Sequence, residues 1–433
     1  MLFSGSMLAQ IIGFAALYFL GRLYSPDDFG ELEIFLKLSG VLIAIAGLRY
    51  EMAIVVENDK IEAINLSKLT LLLNLCFAVL TFVILLFFKD EIASLLNINK
   101  PNFLLFVPLI VWLTSSTETL ILFRNRERQY KKITSNRVIS SLSSTSYKLG
   151  HYFTPLKFNG LIAGHILGQI LAFAHIAQKI PFRITQFKAD HLFKLAKKYR
   201  QFPFFSSPAA LLNILAVSMP VFLISAYSGT EDTGYFANAY KLTYLPMSML
   251  AMALGQVFFE RIARLKENKE QAAQLSHKLF NLLFAIGVIP SIILLVWGDS
   301  IAPFLLGDQW HEAGIYIQIT ILFYFTMFLT STFSSAFETY GKLKVQLVYN
   351  AVFLVSTSLV MYLTFESGGE TKQALERFAT VGIVLRVLIL NYFFYLFGKN
   401  IIAKTIFAVI IVFALAWLGF STQKIFSALR AKV

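Results

Sequence analysis

The chain alternates between long apolar runs and short polar connections. The first half has runs at about 2–20, 32–56, 64–88, 101–123, 133–155 and 158–180. After a polar stretch at 181–206, the second half has runs at about 207–227, 234–258, 276–298, 312–337, 343–365 and 374–397. Each run is close to the roughly 20 residues that cross a bilayer as a helix. The pattern predicts twelve transmembrane helices, and a last run at 401–420 predicts either a thirteenth or an interfacial helix.

The composition excludes a protein built from water-soluble domains. Apolar residues make up 57% and charged residues 15% of the 433, and the mean hydropathy is +0.66, whereas soluble domains are about 25% charged. The one cysteine, Cys76, lies in an apolar run, so no internal disulfide can form. The connections are short, and the chain lacks the glycine-rich phosphate loop, H-E-x-x-H and paired-cysteine motifs. We expect no enzyme activity, no cofactor and no metal site.

The net charge of +13 is distributed unevenly along the connections. If the N-terminus is cytoplasmic, the cytoplasmic connections carry 21 Lys and Arg residues and the opposite ones carry six. An excess of cations on the cytoplasmic side is the usual topology signal of multi-pass membrane proteins. Topology therefore accounts for most of the charge without a nucleic-acid partner, and it predicts a cytoplasmic N-terminus.

Two segments of the chain align without gaps at an offset of 204. Residues 27–38 match residues 231–242, so that Gly30 meets Gly234 and Lys37 meets Lys241. A weaker match pairs 129–133 with 339–343. Because each half holds six runs, both halves begin on the same side of the membrane, as parallel repeats do in transporters. We predict an all-α polytopic fold of two pseudo-symmetric six-helix bundles around a central cavity.

The predicted domain boundaries follow from these two halves. The N-terminal bundle covers 1–180, a basic cytoplasmic linker covers 181–206, and the C-terminal bundle covers 207–397. Residues 398–433 hold the extra apolar run and a tail.

Several short patterns resemble one bacterial family. They are Arg22 to Gly30 (RLYSPDDFG), Leu48 to Glu51 with Ala53 to Val55, Tyr199 to Pro203, Pro220, Gly234 to Ala237, Leu245-Pro246, Gln256 to Phe259, and Leu306 to Trp310 with Ala313-Gly314. Together they resemble polysaccharide biosynthesis proteins of the multidrug/oligosaccharidyl-lipid/polysaccharide exporter superfamily, which flip lipid-linked oligosaccharides. The resemblance extends in order to about residue 397, and it implies two six-helix bundles around a cavity.

Charged residues inside apolar helices are costly and usually face a partner or a water-filled cavity. In the predicted fifth helix, Arg137, Ser141, Ser144, Lys148 and His151 recur at steps of three and four, which places them on one face. This face predicts a cationic, hydroxyl-rich cavity lining. The alternative is that Arg137 extends to the interface and the serines permit close helix packing.

Other candidates stand alone in their helices. Lys37 and Lys241 occupy equivalent positions of the two halves, and Arg386 lies in the middle of the twelfth run. With Lys148 they predict a cationic binding site, although Lys37 and Lys241 are also placed to extend toward the outer interface. Glu51 and His165 are candidates for ion coupling. Pairing of Glu51 with Arg49, and packing of His165, are their structural alternatives.

The resulting hypothesis is a flippase in the bacterial inner membrane. Cations would hold the diphosphate of an undecaprenyl-diphosphate-linked oligosaccharide, a lipid identity that the resemblance implies, and the halves would move by alternating access. Its partners would be this substrate, membrane lipids, and the glycan polymerases and glycosyltransferases of the same pathway. One alternative is a cation-coupled multidrug antiporter, although Glu118 and Glu338 lie near predicted cytoplasmic ends. The other is an integral-membrane glycan polymerase or ligase.

Overall fold

A computed structural model describes residues 2–156, 158–180, 189–265 and 267–398, and these residues form helices and no strands. Packing divides them into two units, one ending at Gly234 and the other beginning at Tyr235. The predicted run at 401–420 lies outside the described residues. The predicted linker at 181–206 is described only from residue 189 onward.

The first unit contains eight complete helices and the beginning of a ninth. They are α1 (Leu2–Leu23), α2 (Pro26–Ala46), α3 (Glu51–Val56), α4 (Lys60–Leu95), α5 (Val107–Arg126), α6 (Tyr130–His151), α7 (Gly160–Ala177), α8 (Ala189–Lys198) and the first part of α9 (Ser207–Arg264). The start of α2 is fixed by Ser25, whose hydroxyl accepts from the backbone N–H of Asp28 while the Asp28 carboxylate accepts from the Ser25 backbone. This capping box satisfies N–H groups that a helix start leaves free.

The second unit continues α9 and adds the helices α10 (Lys269–Leu306), α11 (His311–Phe333), α12 (Ala336–Thr339), α13 (Leu343–Glu366) and α14 (Thr371–Leu396). Its core is rich in phenylalanine. Phe258, Phe333, Phe394 and Phe397 lie within ring contact of one another and are almost fully buried. Edge-to-face ring contacts of this kind stabilise a packed core.

The twelve predicted runs fall mainly on helical residues, although a turn at 47–50 divides the run at 32–56 into α2 and α3. Eight helical segments of the described chain are long and apolar enough to span a membrane. Their outer faces carry large apolar side chains that are exposed in the isolated chain, such as Leu75, Val79, Phe82 and Leu86 along α4. Such a face suits lipid. The chain is a multi-pass membrane protein, while the total of twelve or thirteen spans stays a prediction.

The two runs predicted at 207–227 and 234–258 correspond to two helical segments of α9, which are separated by a break at Gly229. Its φ of 86° and ψ of −172° belong to a region that only glycine adopts readily. The predicted domain boundaries at 181–206 stay a prediction, while packing groups 207–234 with the first unit. The physical reason is a set of contacts that includes the Ser225 hydroxyl, which donates to the carbonyl oxygen of Leu96.

The aligned glycines of the two repeat segments lie in one close helix crossing within the first unit. A Cβ on Gly30 would collide with the carbonyl oxygen of Thr230, and a Cβ on Gly234 would collide with that of Pro26. The contact is reciprocal, because Pro26 and Thr230 are also related by the offset of 204. Glycine is therefore required where these two backbones touch.

The helix α8, in the predicted linker, packs against the first unit. Leu192 and Leu195 are buried, and the Tyr50 hydroxyl donates to the carbonyl oxygen of Ala196 at 3.0 Å. Lys198 bridges two acids, 2.6 Å from Glu57 Oε2 and 2.5 Å from Glu62 Oε2. The end of the linker is thus held to α3 and α4 by apolar contact and by charge.

Candidate functional site

The cation predicted on the second helix, Lys37, is paired with an acid. Its Nζ lies 3.3 Å from Glu33 Oε1, one turn earlier on α2, and both side chains are largely buried. Opposite charges four residues apart on a helix face each other. The four-residue spacing of Glu33 and Lys37 is visible in the sequence, but Glu33 was not among the predicted site residues. Its carboxylate offsets much of the positive charge expected at Lys37.

The predicted stripe on the fifth helix lies on α6, where its serines take part in helix packing. The Ser141 hydroxyl donates to the carbonyl oxygen of Ala9 at 2.8 Å, which ties α6 to α1. Ser144 lies against α7, where a Cβ on Gly168 would come within 2.8 Å of the Ser144 Cβ. These contacts fit the alternative in which the serines permit close helix packing. The sequence pattern found the shared face but not the helices that cover it.

The three basic residues of the stripe differ in their surroundings. Arg137 is exposed, and Lys148 is half-buried with its stem against Gly164 of α7. His151 is buried, beside Gly160 and the Tyr147 ring. Lys148 also interacts electrostatically with His165. The centroids of the His165 and Phe35 rings lie 6.3 Å apart. The structure thus brings Lys148 and His165 into one neighbourhood.

Arg386 lies on α14 in the second unit among uncharged polar and aromatic side chains. Its Nη1 donates to Thr330 Oγ1 at 3.3 Å, and its guanidinium carbon lies 4.9 Å from the centre of the Phe353 ring. Its buried Nε has no hydrogen-bond partner among the described atoms. A hydroxyl and a ring face thus contact the Arg386 guanidinium within an apolar bundle, which leaves donor capacity for an anion.

A group of tyrosines beside Arg386 was missed in the sequence analysis. Tyr240 and Tyr244 of α9 and Tyr324 of α11 have ring centroids 5.4 to 5.9 Å apart, and Arg386 acts electrostatically on Tyr244. We call these three residues the tyrosine cluster. The spacing of Tyr240 and Tyr244, one turn apart, was the available signal, but with 18 Tyr and 43 Phe in the chain it did not stand out.

The second predicted lysine, Lys241, is half-buried and follows Tyr240 on α9. It thus lies on the same turn of helix as the tyrosine cluster. Adjacent residues on a helix do not face each other, so helix position alone does not place Lys241 with these tyrosines, whereas the interaction with Tyr244 places Arg386 beside them and their hydroxyl groups. Such a set can bind an anionic group beside a sugar by charge-assisted hydrogen bonds and ring contact.

The buried acids of the first unit are held by polar partners. The Asn159 side-chain amide donates to Glu31 Oε2 at 2.9 Å. Glu51 Oε1 lies 3.5 Å from Arg49 Nη1. Together with Glu33, these acids meet the requirement that buried charges be paired or hydrogen-bonded. Among the residues that the structure describes, no group of three or more His, Cys, Asp or Glu side chains could hold a metal ion.

Comparisons with known proteins agree with the resemblance seen in the sequence. A family model described as "Polysaccharide biosynthesis protein" matches residues 19–314. The succinoglycan biosynthesis transport protein ExoT of Rhizobium meliloti (strain 1021) is 22% identical over 69% of this chain and 60% of its own length. The lipopolysaccharide biosynthesis protein WzxC of Escherichia coli (strain K12) is 21% identical over 71% of this chain and 62% of its own length. The matches thus span less than two thirds of these relatives.

Solved structures show the same fold. The lipid II flippase MurJ, in an inward closed conformation, has a TM-score of 0.71 at 13% identity over 97% of this chain and 98% of its own. An inward-facing multidrug resistance MATE family transporter of the MOP superfamily has a TM-score of 0.70 at 13% identity over 94% and 95% of the two chains. The predicted family is confirmed: this chain belongs to the polysaccharide biosynthesis protein family and has the fold of MOP-superfamily transporters.

Proposed function

We propose that this protein is a flippase that moves an undecaprenyl-diphosphate-linked oligosaccharide across the bacterial inner membrane by alternating access. The transport names of its relatives support a carrier of polysaccharide precursors. The identity of the transported lipid-linked oligosaccharide is a more specific proposal than the transport of polysaccharide precursors in general. The N-terminus is proposed to be cytoplasmic, as the distribution of charge indicates.

The observation that carries the proposal is Arg386 beside the tyrosine cluster. A guanidinium within an apolar bundle suits a diphosphate, which accepts paired, charge-assisted hydrogen bonds. The adjacent Tyr240 and Tyr244 rings provide apolar faces and hydroxyl groups for the first sugar. The polyprenyl tail stays in lipid. In the first unit, Lys148 and the exposed Arg137 are proposed as further cations along the substrate path.

The polar contacts make the multidrug antiporter the weaker alternative. A cationic drug needs an acid whose charge is available inside the membrane. Glu33 is paired with Lys37, Glu51 with Arg49, and Glu31 accepts from Asn159. Glu118 of α5, which is exposed in the isolated chain, is the acid that remains for this alternative. A glycan polymerase is also less well supported, because ExoT is named as a transport protein and MurJ as a flippase.

The test uses purified protein in lipid vesicles that carry a fluorescent undecaprenyl-diphosphate-linked oligosaccharide. The rate at which the label becomes accessible to an external quencher measures translocation. One charged hydrogen bond contributes about 1.5–3 kcal/mol, so Arg386→Ala should lower the rate about 10- to 150-fold. Arg386→Lys should recover part of the loss, because it restores the charge without the planar fork.

The matched control is Arg377→Ala on the same helix. The Arg377 Nη1 donates to Thr364 Oγ1 at 3.1 Å, so this variant also removes an arginine bonded to a threonine, but outside the proposed site. Its rate should stay near that of wild type. Equal loss in the two variants, or no loss in Arg386→Ala, would refute the assignment of the diphosphate to Arg386.

A further inference from the structure

The basic helix α8 packs along the first turns of α4 and runs in the opposite direction. As the chain proceeds along α8, its partners on α4 lie successively closer to the start of that helix. In order, these contacts are Leu192 in a buried cluster with Leu69, Leu195 in a buried cluster with Leu66, and Lys198 Nζ at 2.5 Å from Glu62 Oε2. The level of each residue of α8 can therefore be compared with the level of its partner on α4.

The sequence of α4 indicates where this helix enters the membrane. Residues 69–88 contain no charged side chain, and Lys68 and Lys89 flank them. About 20 residues at 1.5 Å each span about 30 Å, which is the thickness of the hydrocarbon core. Leu69 thus marks one edge of the core. Because Leu192 packs with Leu69, the first part of α8 lies at the same edge.

The two sides of α8 have different surroundings. Leu192 and Leu195 are buried on the side that faces α4, whereas Phe193, Lys194 and Lys197 are exposed. Steps of three and four residues join Lys197 to Lys194 and to Phe193, so the three exposed side chains lie on one side of the helix. We call them the outer face of α8. Phe193 has 74% of its surface exposed, at the level where the apolar part of α4 begins.

The lysines of the outer face are not matched by acids of the protein. No ion pair among the described residues includes Lys194 or Lys197. Lys198, in contrast, is bound by acids of the first unit, and the sequence of α8 contains a single acid, Asp190, in its first turn. Arg200, which is also exposed, follows directly after the helix. The outer face therefore attracts an anionic partner.

The spacing along α8 suits a phospholipid. Lys197 follows Phe193 by four residues, which is about 6 Å along a helix axis. The headgroup layer extends about 5–8 Å beyond the hydrocarbon core on each side. With the Phe193 ring at the edge of the core, the Lys197 ammonium therefore lies among the phosphates, and a lysine stem is long enough to adjust its depth. A basic helix with an aromatic residue at this depth is typical of membrane interfaces.

The chain that follows α8 continues into the membrane. Phe204 and Phe205, just before the first residue of α9, have 71% and 77% of their surfaces exposed. The next residues begin the long apolar segment Phe202–Arg264 that can span a membrane. Apolar surface thus continues beyond the outer face of α8, as expected where a chain passes from the membrane surface into lipid.

We propose that the outer face of α8 binds anionic phospholipids of the leaflet that the charge distribution assigns to the cytoplasm. Phe193 inserts at the edge of the acyl chains, and Lys194 and Lys197 bind the headgroup phosphates. Lys198 and the buried leucines hold the other side of the helix to α3 and α4. The bound lipids fix the start of α9 at the membrane surface, and they are distinct from the transported cargo.

The first test measures which lipids lie beside α8. The full-length protein carries Cys76→Ser and a fluorophore on Gln201→Cys, an exposed position one turn after Lys197. It is placed in phosphatidylcholine vesicles that contain phosphatidylglycerol. Quenching by nitroxide-labelled phosphatidylglycerol is compared with quenching by the same amount of nitroxide-labelled phosphatidylcholine. The ratio of the two measures the local preference for the anionic lipid.

Wild type should prefer phosphatidylglycerol several-fold. Two lysines near an anionic surface account for up to about 25-fold in binding, so Lys194→Gln/Lys197→Gln should lose most of this preference. The matched control is Lys342→Gln/Lys344→Gln, which removes two exposed lysines from the second unit and should keep the wild-type ratio. Equal loss in both double variants, or a wild type without preference, would overturn the lipid-binding surface.

The second test measures the depth of Phe193. A nitroxide on Phe193→Cys, in the Cys76→Ser background, should collide more often with oxygen, which concentrates in lipid, than with a water-soluble nickel complex. The control is a nitroxide on Glu267→Cys, in the exposed turn between α9 and α10, where the order should be reversed. Nickel access at 193 equal to that at 267 would show that the outer face lies in water.

The same measurement distinguishes lipid from a protein cover. If the nitroxide at 193 is shielded from both reagents, then another segment of the chain, such as 399–433, covers the outer face and the proposal is wrong. The substituted side chains point away from the packed side of α8, so the variants should keep the unfolding temperature of wild type in detergent.

Discussion

The crossing of Gly30 and Gly234 allows a quantitative test of the packing. In Gly30→Ala the new Cβ would collide with the backbone carbonyl of Thr230, which cannot rotate away as a side chain can. Forcing an extra methyl into a packed contact costs about 1–3 kcal/mol, and alanine regains about 0.5–1 kcal/mol of helix stability relative to glycine. We expect a net destabilisation of up to about 2.5 kcal/mol. Gly234→Ala should behave alike, because the contact is reciprocal.

The control is Gly13→Ala in α1, where a Cβ meets no atom within 4 Å. Only the gain in helix stability applies there, so this variant should be unchanged or slightly more stable. The assay is thermal unfolding of the purified variants in one detergent, followed by the monodisperse fraction that remains after heating. Equal midpoints for Gly30→Ala and Gly13→Ala would show that the helices do not meet at Gly30, and the reasoning would be refuted.

Three further predictions follow from other contacts. Gly229→Ala should destabilise the protein by about 1–3 kcal/mol in the same assay, because φ of 86° strains any residue with a side chain; Gly150→Ala, with open space around it, should not. Tyr244→Phe should retain the tyrosine ring contacts and most of the translocation rate, whereas Tyr244→Ala should lower it several-fold, and equal rates for both variants would exclude ring contact with the substrate. The Lys198 ammonium, followed by the Tyr199 hydroxyl, holds the pKa of the Glu57 carboxyl below its usual range. The ionised Glu57 therefore stabilises the fold above the unfolded-state pKa of about 4.3, and this stabilisation is lost as the pH falls through the lower folded-state pKa. Glu57→Gln should flatten the acid limb of a plot of unfolding temperature against pH, and an unchanged limb would contradict the pairing.

The apolar runs predicted the fold because their physical cause is local. A helix in lipid must satisfy its own backbone, so about 20 apolar residues suffice to predict a span. The break at Gly229 lies in the gap between the runs predicted at 207–227 and 234–258. The position of the boundary between the two packed units depends on tertiary contacts such as that of Ser225 with Leu96, which no local pattern contains.

The site was predicted less completely, for a different reason. Position in an apolar run identified Arg386 and Lys148, but a sequence pattern carries no information on which helices cover a polar face. Ser141 and Ser144 therefore lie in helix contacts with Ala9 and Gly168.

The repeat explains why the anion site is assigned to the second unit. The offset of 204 carries Lys37 onto Lys241, but it carries Glu33, the acid paired with Lys37, onto Ala237. The acid that pairs with the first lysine is thus replaced by an alanine at the equivalent position. A buried acid facing a diphosphate would repel it, and the alanine removes one such acid from the helix that carries Lys241.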